Sequence, residues 1–321
     1  MRLASVILLG ACAHELNSSP VQPPIVSDQQ ASSVRPDASR LKLYTVNNGA
    51  NSVTEYSSSA NGNVAPLATI TGANTQLTAP INLAVHRSTI YVTNLGTSAV
   101  TEYAVGSTGN VAPVAVITCG GLNLPDGVAV DSAGKIYVAN LKSDSISIFA
   151  GNANGCVRRA RHIQGPHTQL SRPAALMISG SQLFVGNINS HSISEYPVSA
   201  RGDAAPTSVI SGSNSMLVNP VGIAMDATHN LYVADDSAQA IFVFGAGANG
   251  NVSPIRTIAG SLTQLMSPSG IVLDHGSITV TNPTANSITS YPQTANGNVA
   301  PTRTISGSAT GLNFPIGLAL H

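Results

Sequence analysis

A unit of about 47 residues recurs six times along this chain, and that recurrence limits the fold more than any other feature. A proline opening the unit falls at Pro80, Pro125, Pro173, Pro220, Pro268 and Pro315, at spacings of 45, 48, 47, 48 and 47 residues. A polar residue follows at Asn47, Asn94, Asn140, Asn187, Asp235 and Asn282, and an aromatic at Tyr56, Tyr103, Phe149, Tyr196, Phe244 and Tyr291. Three markers holding one period exclude coincidence. Each unit carries four short runs rich in β-branched and aromatic residues, as in Gly270–Asp274, Lys135–Asn140, Ser287–Tyr291 and Arg303–Ile305. Gly, Asn, Ser and Pro bound these runs, which is strand punctuation, and no segment keeps a helical period.

A repeat of this length built from four strands predicts an all-β, six-bladed β-propeller with four antiparallel strands per blade. The first strand alternates small residues (Gly222, Ala224; Gly317, Ala319) with bulky ones (Ile223, Met225; Leu318, Leu320). Such alternation suits sheets stacked face to face around an axis. The first folded run, Leu43–Asn47, matches the second strand of the unit, and its missing first strand appears at the other end as Ile316–Leu320. The C-terminal strand should therefore join the N-terminal blade and close the ring, which removes exposed sheet edges.

The chain divides into residues 1–11 as a signal, 12–41 as a tether and 42–321 as the propeller. MRLASVILLGAC has one Arg, a short apolar run and Leu9-Gly10-Ala11-Cys12, which resembles a bacterial lipoprotein signal with Cys12 as the lipidated residue. An ordinary secretory signal or a misplaced start is the alternative. Residues 13–41 are rich in Ser, Pro and Gln and cannot bury a core. An extracytoplasmic protein is expected, held at a membrane by its lipid anchor only or else secreted or periplasmic, and monomeric. Three Lys and zero net charge argue against nucleic acid as a partner.

The pattern P-x-G-I-A-x-D, L-Y-V-A-N, S-I-x-x-Y and G-N-V-A-P-x-x-x-I-x-G resembles NHL-type propellers, in the wider group of TolB-like and gluconolactonase-like (SMP-30) propellers. It covers residues 42–321. In such propellers the loops between strands two and three, and those between blades, share the face that usually holds the site. The resemblance fixes fold better than function, because these propellers host lactonases, lyases, metal sites and protein-binding modules.

Placed on that face, Asn82, Asp126, Asp144, His167, Arg172, His191, Asp235 and Asp236 are the candidate ligand-binding residues. His167 and His191 with a carboxylate offer ligands for zinc or an acid–base pair. Asp126, Asp235 and Asp236 with Asn82 offer a Ca²⁺ site, although solvated loop carboxylates are the plainer reading. Ca or Zn is thus the candidate cofactor, and no catalytic residue is assigned. Glu55, Glu102 and Glu195 share one repeat position, which points to structure, and none lies on the candidate face. His86, His229, His275 and His321 fall on the opposite face. Arg158, Arg159, Arg161 and His162 mark blade III as the most divergent, by drift or as a contact for an anionic partner.

Eleven of the 13 Tyr and Phe occupy two repeat positions and are expected in the core, leaving Phe242 and Phe314 over. Cys119 and Cys156 are expected near opposite faces, hence unpaired. GxSxG, HExxH, Walker A, EF-hand and CxxC motifs are missing from the sequence. The expected function is a binding scaffold for a protein or small-molecule ligand. A metal-dependent hydrolase or lyase of lactonase type is the alternative, and a purely structural envelope protein the third reading.

Overall fold

A computed structural model describes residues 41–159 and 161–321, so the signal, Cys12 and the tether up to residue 40 lie outside the described residues. Six four-stranded antiparallel sheets form, one per repeat. In blade II the strands are Pro80–His86, Thr89–Asn94, Ala99–Ala104 and Ala115–Ile117, from the axis outwards, and blades III to VI repeat that order. The innermost strands (Pro80–His86, Pro125–Val130, Pro173–Ser179, Pro220–Met225, Ile271–Asp274 and Pro315–Leu320) each contact the next, the last touching the first, so they ring the axis. Among the described residues there is no α-helix, only short 3-10 turns, and no helix long and apolar enough to cross a membrane.

Blade I is assembled from both chain ends, as the repeat phase requires. Pro315–Leu320 pairs with Lys42–Asn47 in the register Leu43–Leu320, Tyr44–Ala319 and Thr45–Leu318. Backbone bonds Lys42 N to His321 O (2.8 Å) and His321 N to Lys42 O (2.9 Å) complete it.

The core lies between blades. Each of the six apolar clusters draws on two neighbouring blades, as where Tyr137, Ile146 and Ile163 of blade III meet Leu183, Val185 and Tyr196 of blade IV. The small positions of the innermost strands explain how sheets approach so closely at the axis. A Cβ on Gly127 would stand 2.2 Å from Ala174 O, and one on Gly222 2.0 Å from Ser269 O. Both contacts are with the next blade's backbone, in its innermost strand (Ala174) or just before it (Ser269), so side chains there would push the blades apart.

The connection between strands three and four departs from a simple turn. It leaves the third strand, then runs parallel to the outermost strand of the preceding blade before folding back. Single parallel bridges mark this arm at every seam: Gly62–Ile305, Ile70–Gly109, Ile117–Gly155, Ile163–Gly202, Ile210–Gly250 and Ile258–Gly297. The sequence ANGNVAP, which occurs identically at 60–66 and 295–301, lies in this arm, where it joins one blade to the next. In five seams its Asn or Asp (Asn63, Asn110, Asp203, Asn251, Asn298) accepts the amide of a residue in the preceding inter-blade loop at 2.7–2.8 Å. The facing glycines (Gly307, Gly72, Gly165, Gly212, Gly260) have positive φ, and a Cβ there would come within 2.3–2.6 Å of the capping side chain.

At the II–III seam this Gly and Asn are replaced by Cys119 and Cys156, and the two form a disulfide across a Cα–Cα distance of 4.7 Å. The expectation of unpaired thiols is corrected. It assigned the strand three-to-four connection to one face, whereas the arm carries Cys156 up along the neighbouring blade. The bond closes 37 residues of chain. Reduction, or Cys119→Ser with Cys156→Ser, is expected to lower stability by roughly 2–4 kcal/mol. Thiol titration of the unfolded, unreduced protein should find neither cysteine free.

Candidate functional site

The polar residue closing each second strand is buried and ties one loop to the next. Asn94 accepts Thr78 N (3.0 Å) and donates to Thr101 Oγ1 (3.0 Å), and Asn47, Asn140, Asn187 and Asn282 act alike. Asp235 is the exception in type and follows the same logic. Its blade has Phe242 where the others have Ser or Thr, so no hydroxyl is there to receive an amide N–H. A carboxylate, which only accepts, fits instead. Asp235 takes Val218 N (2.8 Å), Asn219 N (2.9 Å) and Ala238 N (3.0 Å) and is fully buried. Its oxygens are thereby occupied, and Asp236 accepts Asn219 Nδ2 at 3.2 Å.

Asp144 and His191 also hold registered positions. Asn51, Ser98, Asp144, His191, Gln239 and Asn286 all adopt positive φ (44–50°) in the loop between strands two and three. Asp144 accepts Arg172 N at 2.6 Å, as Asn51 accepts Ala79 N (2.8 Å) and Asn286 accepts Phe314 N (2.7 Å). His191 bonds through Nδ1 to Val218 O. His167 bonds through Nδ1 to Asp203 Oδ2 at 2.6 Å, on the arm that runs along the outermost strand of blade III. It therefore stands at the periphery, and its partner Asp203 is a residue the sequence reading did not single out. Among the described residues, no group of three or more His, Cys, Asp and Glu is arranged to hold a metal ion.

Asn82, Asp126 and Arg172 do come together, at the channel end of the innermost strands. Asp126 follows Pro125, where the other blades carry Ile81, Ala174, Val221, Ser269 and Ile316. Burial pushes its carboxyl up to about 7, against the opposing pull of a hydrogen bond from Asn82 and the nearby Arg172 guanidinium. Asn82 stands where four blades have Gly, and its own oxygen takes Leu83 N at 2.9 Å. Asp126 O also receives the Thr93 hydroxyl at 2.6 Å. The result is one carboxyl pushed up toward neutrality by burial, beside the Asn82 amide and the Arg172 guanidinium. It can act as a proton donor or acceptor, or as a hydrogen-bonding anchor.

Exposed apolar side chains lie on the inter-blade loops that lead into the innermost strands. Leu124 and Phe314 occupy the residue before the repeat Pro, Val218 and Met266 the one before that, and Met216 stands two further back. Leu124 and Phe314 hold positive φ there, at 51° and 53°. Met216 replaces the Gln found in three other units (Gln76, Gln169, Gln264). The remaining aromatics behave as expected of core, with Phe242 also buried and Phe184 only partly so.

The model of a family described as "Lactonase, 7-bladed beta-propeller" matches residues 33–170, less than half of the chain, and the blade count here is six. No curated protein matches the sequence. Among solved structures the chain is similar to one from a nidogen/laminin complex (14% identity, TM-score 0.60). It also resembles a functionally unknown protein from Desulfotomaculum acetoxidans DSM 771 (13%, 0.56) and a protein of unknown function from Bacteroides caccae (10%, 0.61). Each likeness covers 87% of this chain and 98% of the other. At such identities the shared property is the propeller fold.

The three registered glutamates meet three different environments. Glu55 pairs with Lys42 Nζ at 3.0 Å. Glu195 accepts Gln182 Nε2 at 2.7 Å. Glu102 is buried with Oε1 unpartnered, and burial pushes its carboxyl up to about 7. In the folded state Glu102 thus holds its proton to higher pH than in the unfolded chain. Its contribution is full below the unfolded value of 4.5 and is lost as pH rises through about 7. Glu102→Gln should stabilise the protein relative to wild type by roughly 2–3 kcal/mol at pH 8 and little at pH 4.5, measured by urea unfolding across that range. Asp126 has the same sign, so the difference between the two proteins isolates Glu102.

Proposed function

We propose that this chain is an extracytoplasmic binding scaffold whose channel-mouth face receives a protein or small-molecule ligand. The observation that carries the reading is the set of exposed apolar side chains, Leu124, Met216, Val218, Met266 and Phe314, on the inter-blade loops that lead into the innermost strands, the end of those strands at which Asp126 also lies. Exposed apolar side chains recurring on one set of loops are the makings of a contact surface. The resemblance to NHL-type propellers, many of which bind proteins, agrees with it. Lipidation at Cys12, with residues 13–41 as spacer, would hold that face at the cell envelope, and detergent-phase partitioning lost in Cys12→Ala tests the anchor.

A photo-reactive phenylalanine analogue at Met266 tests the surface in producing cells. A discrete crosslinked product is expected there, lost with Phe314→Ser, and none from the same group placed at Leu67 on the outer rim. Equal products from both positions, or none from Met266, would overturn the reading.

A lactonase-like hydrolase is the second reading, favoured by the family match over residues 33–170 and by the near-neutral Asp126. Under it, Asp126 with Asn82 would serve proton transfer or hold Ca²⁺ or Zn²⁺. Lactone hydrolysis that requires added metal and disappears in Asp126→Asn would establish it in place of the scaffold.

A further inference from the structure

The glutamate position that repeats in blades I, II and IV leads to a site on the opposite side of the ring from the channel mouth. In blade I, Tyr44 lies across from Glu55 in the strand register, and Lys42, two residues earlier, supplies the cation. The space there is closed: the equivalent seam, lined by Tyr44, Glu55, Ala68, Ile70 and Ser107, holds no cavity of useful size. In blade II no lysine is provided, and Glu102 is buried with its proton retained toward neutrality. In blade IV the register is the same, with Phe184 across from Glu195 and Gln182 in the place of Lys42. Here the carboxylate opens onto a cleft of about 560 Å³ between blades IV and V.

Three sequence changes make that cleft. The turn after the third strand of blade V is Gly245-Ala246-Gly247-Ala248, where blade IV has Pro197-Val198-Ser199-Ala200 and blade VI Pro292-Gln293-Thr294-Ala295. The fourth strand of blade IV begins with Ser208, whereas Arg161, Arg256 and Arg303 at that position cross their seams. Those arginines bond Val198 O (3.2 Å), Gln293 O (3.1 Å) and Ser58 O (2.5 Å) of the next blade. Phe184 lacks the hydroxyl that tyrosine carries at this position in four other blades. The resulting cavity has walls of Phe184, Ile210, Met225 and Leu231, with Glu195, Gln182, His229 and two serines, Ser179 and Ser181, as its polar lining.

We propose that this cleft binds a small primary amine bearing an apolar group, with Glu195 as counter-ion. The ammonium pairs with Glu195 beside the Gln182 amide, which occupies the position that Lys42 fills in blade I. Gln182 spends an amide N–H on Glu195, which leaves its carbonyl oxygen as a second acceptor for the three ammonium N–H groups. The apolar walls receive the alkyl or aryl body, and the volume lies in the range of small-molecule sites.

Phenethylamine, 2-phenylethanol and 3-phenylpropionate serve as probes, titrated calorimetrically into the intact protein. Saturable one-to-one binding of the amine is expected, with the alcohol at least about tenfold weaker and the carboxylate silent. Glu195→Gln should weaken the amine by about tenfold or more, and Ala246→Leu, which fills the cleft and leaves the charge, should abolish binding. Amine affinity that is retained when the channel-mouth face is altered at Phe314→Ser would separate this site from the scaffold reading. Equal affinity for amine and alcohol, wild-type affinity in Ala246→Leu, or no amine binding at millimolar concentration would overturn the proposal. Should Glu195→Gln fail to fold, the amine–alcohol comparison and Ala246→Leu decide alone.

Discussion

Removal of Pro315–His321 is expected to abolish the cooperative unfolding transition, or to lower its midpoint by at least about 10 °C. The segment supplies the innermost strand of blade I, so its loss strips the ladder from Lys42–Asn47 and uncovers Leu43 and Tyr44, both 2% exposed in the intact ring. It also removes Leu318 from the apolar cluster between blades VI and I. Two further ties go with it: Thr45 Oγ1 to Gly317 O (2.7 Å) and Thr281 Oγ1 to Ile316 O (2.6 Å). A ring distributes strain, so opening one seam exposes two blade faces at once. Each buried large apolar side chain exposed costs about 1.5–3 kcal/mol, and several are involved. Circular dichroism melts of the truncated and intact proteins make the comparison. A midpoint within 2 °C of the parent would mean that the ring does not depend on closure.

Gly222→Ala should be the most damaging single methyl in the molecule, costing about 3 kcal/mol or more. The added carbon would lie 2.0 Å from Ser269 O and 3.1 Å from Ile271 Cγ2, and the oxygen belongs to the backbone of the next blade, just before its innermost strand. No rotamer change relieves that contact, so blades V and VI must separate at the axis. Gly245→Ala is the control, since its nearest neighbour would be Ile255 Cγ2 at 3.8 Å. The control should stay within about 0.5 kcal/mol of wild type by urea unfolding. Comparable losses in the two variants would show that backbone approach at the axis does not limit the packing.

Asp235 shows how the repeat carries information that a residue-by-residue reading misses. An acidic residue in a loop-facing position suggests a ligand, yet its meaning depends on Phe242, seven positions away. Where a hydroxyl faces it, asparagine is needed; where phenylalanine does, only an acceptor fits. His191 and Asp144 are similar, since their positive-φ slots are filled by Asn, Ser or Gln in other blades. Comparison between repeats could have found all three. It could not have found the pairing of Cys119 with Cys156, because the connection that brings them together is a tertiary excursion over a neighbouring sheet.

The sequence by itself determined the number of blades, the strands within each and the closure of the ring, because period, punctuation and phase are properties of one dimension. It also placed the small residues that let blades meet at the axis. Only the tertiary structure decided which polar side chains are consumed by the scaffold and which remain available. Every seam is built from two blades, so whether it closes on a disulfide or leaves a cleft depends on side chains drawn from both.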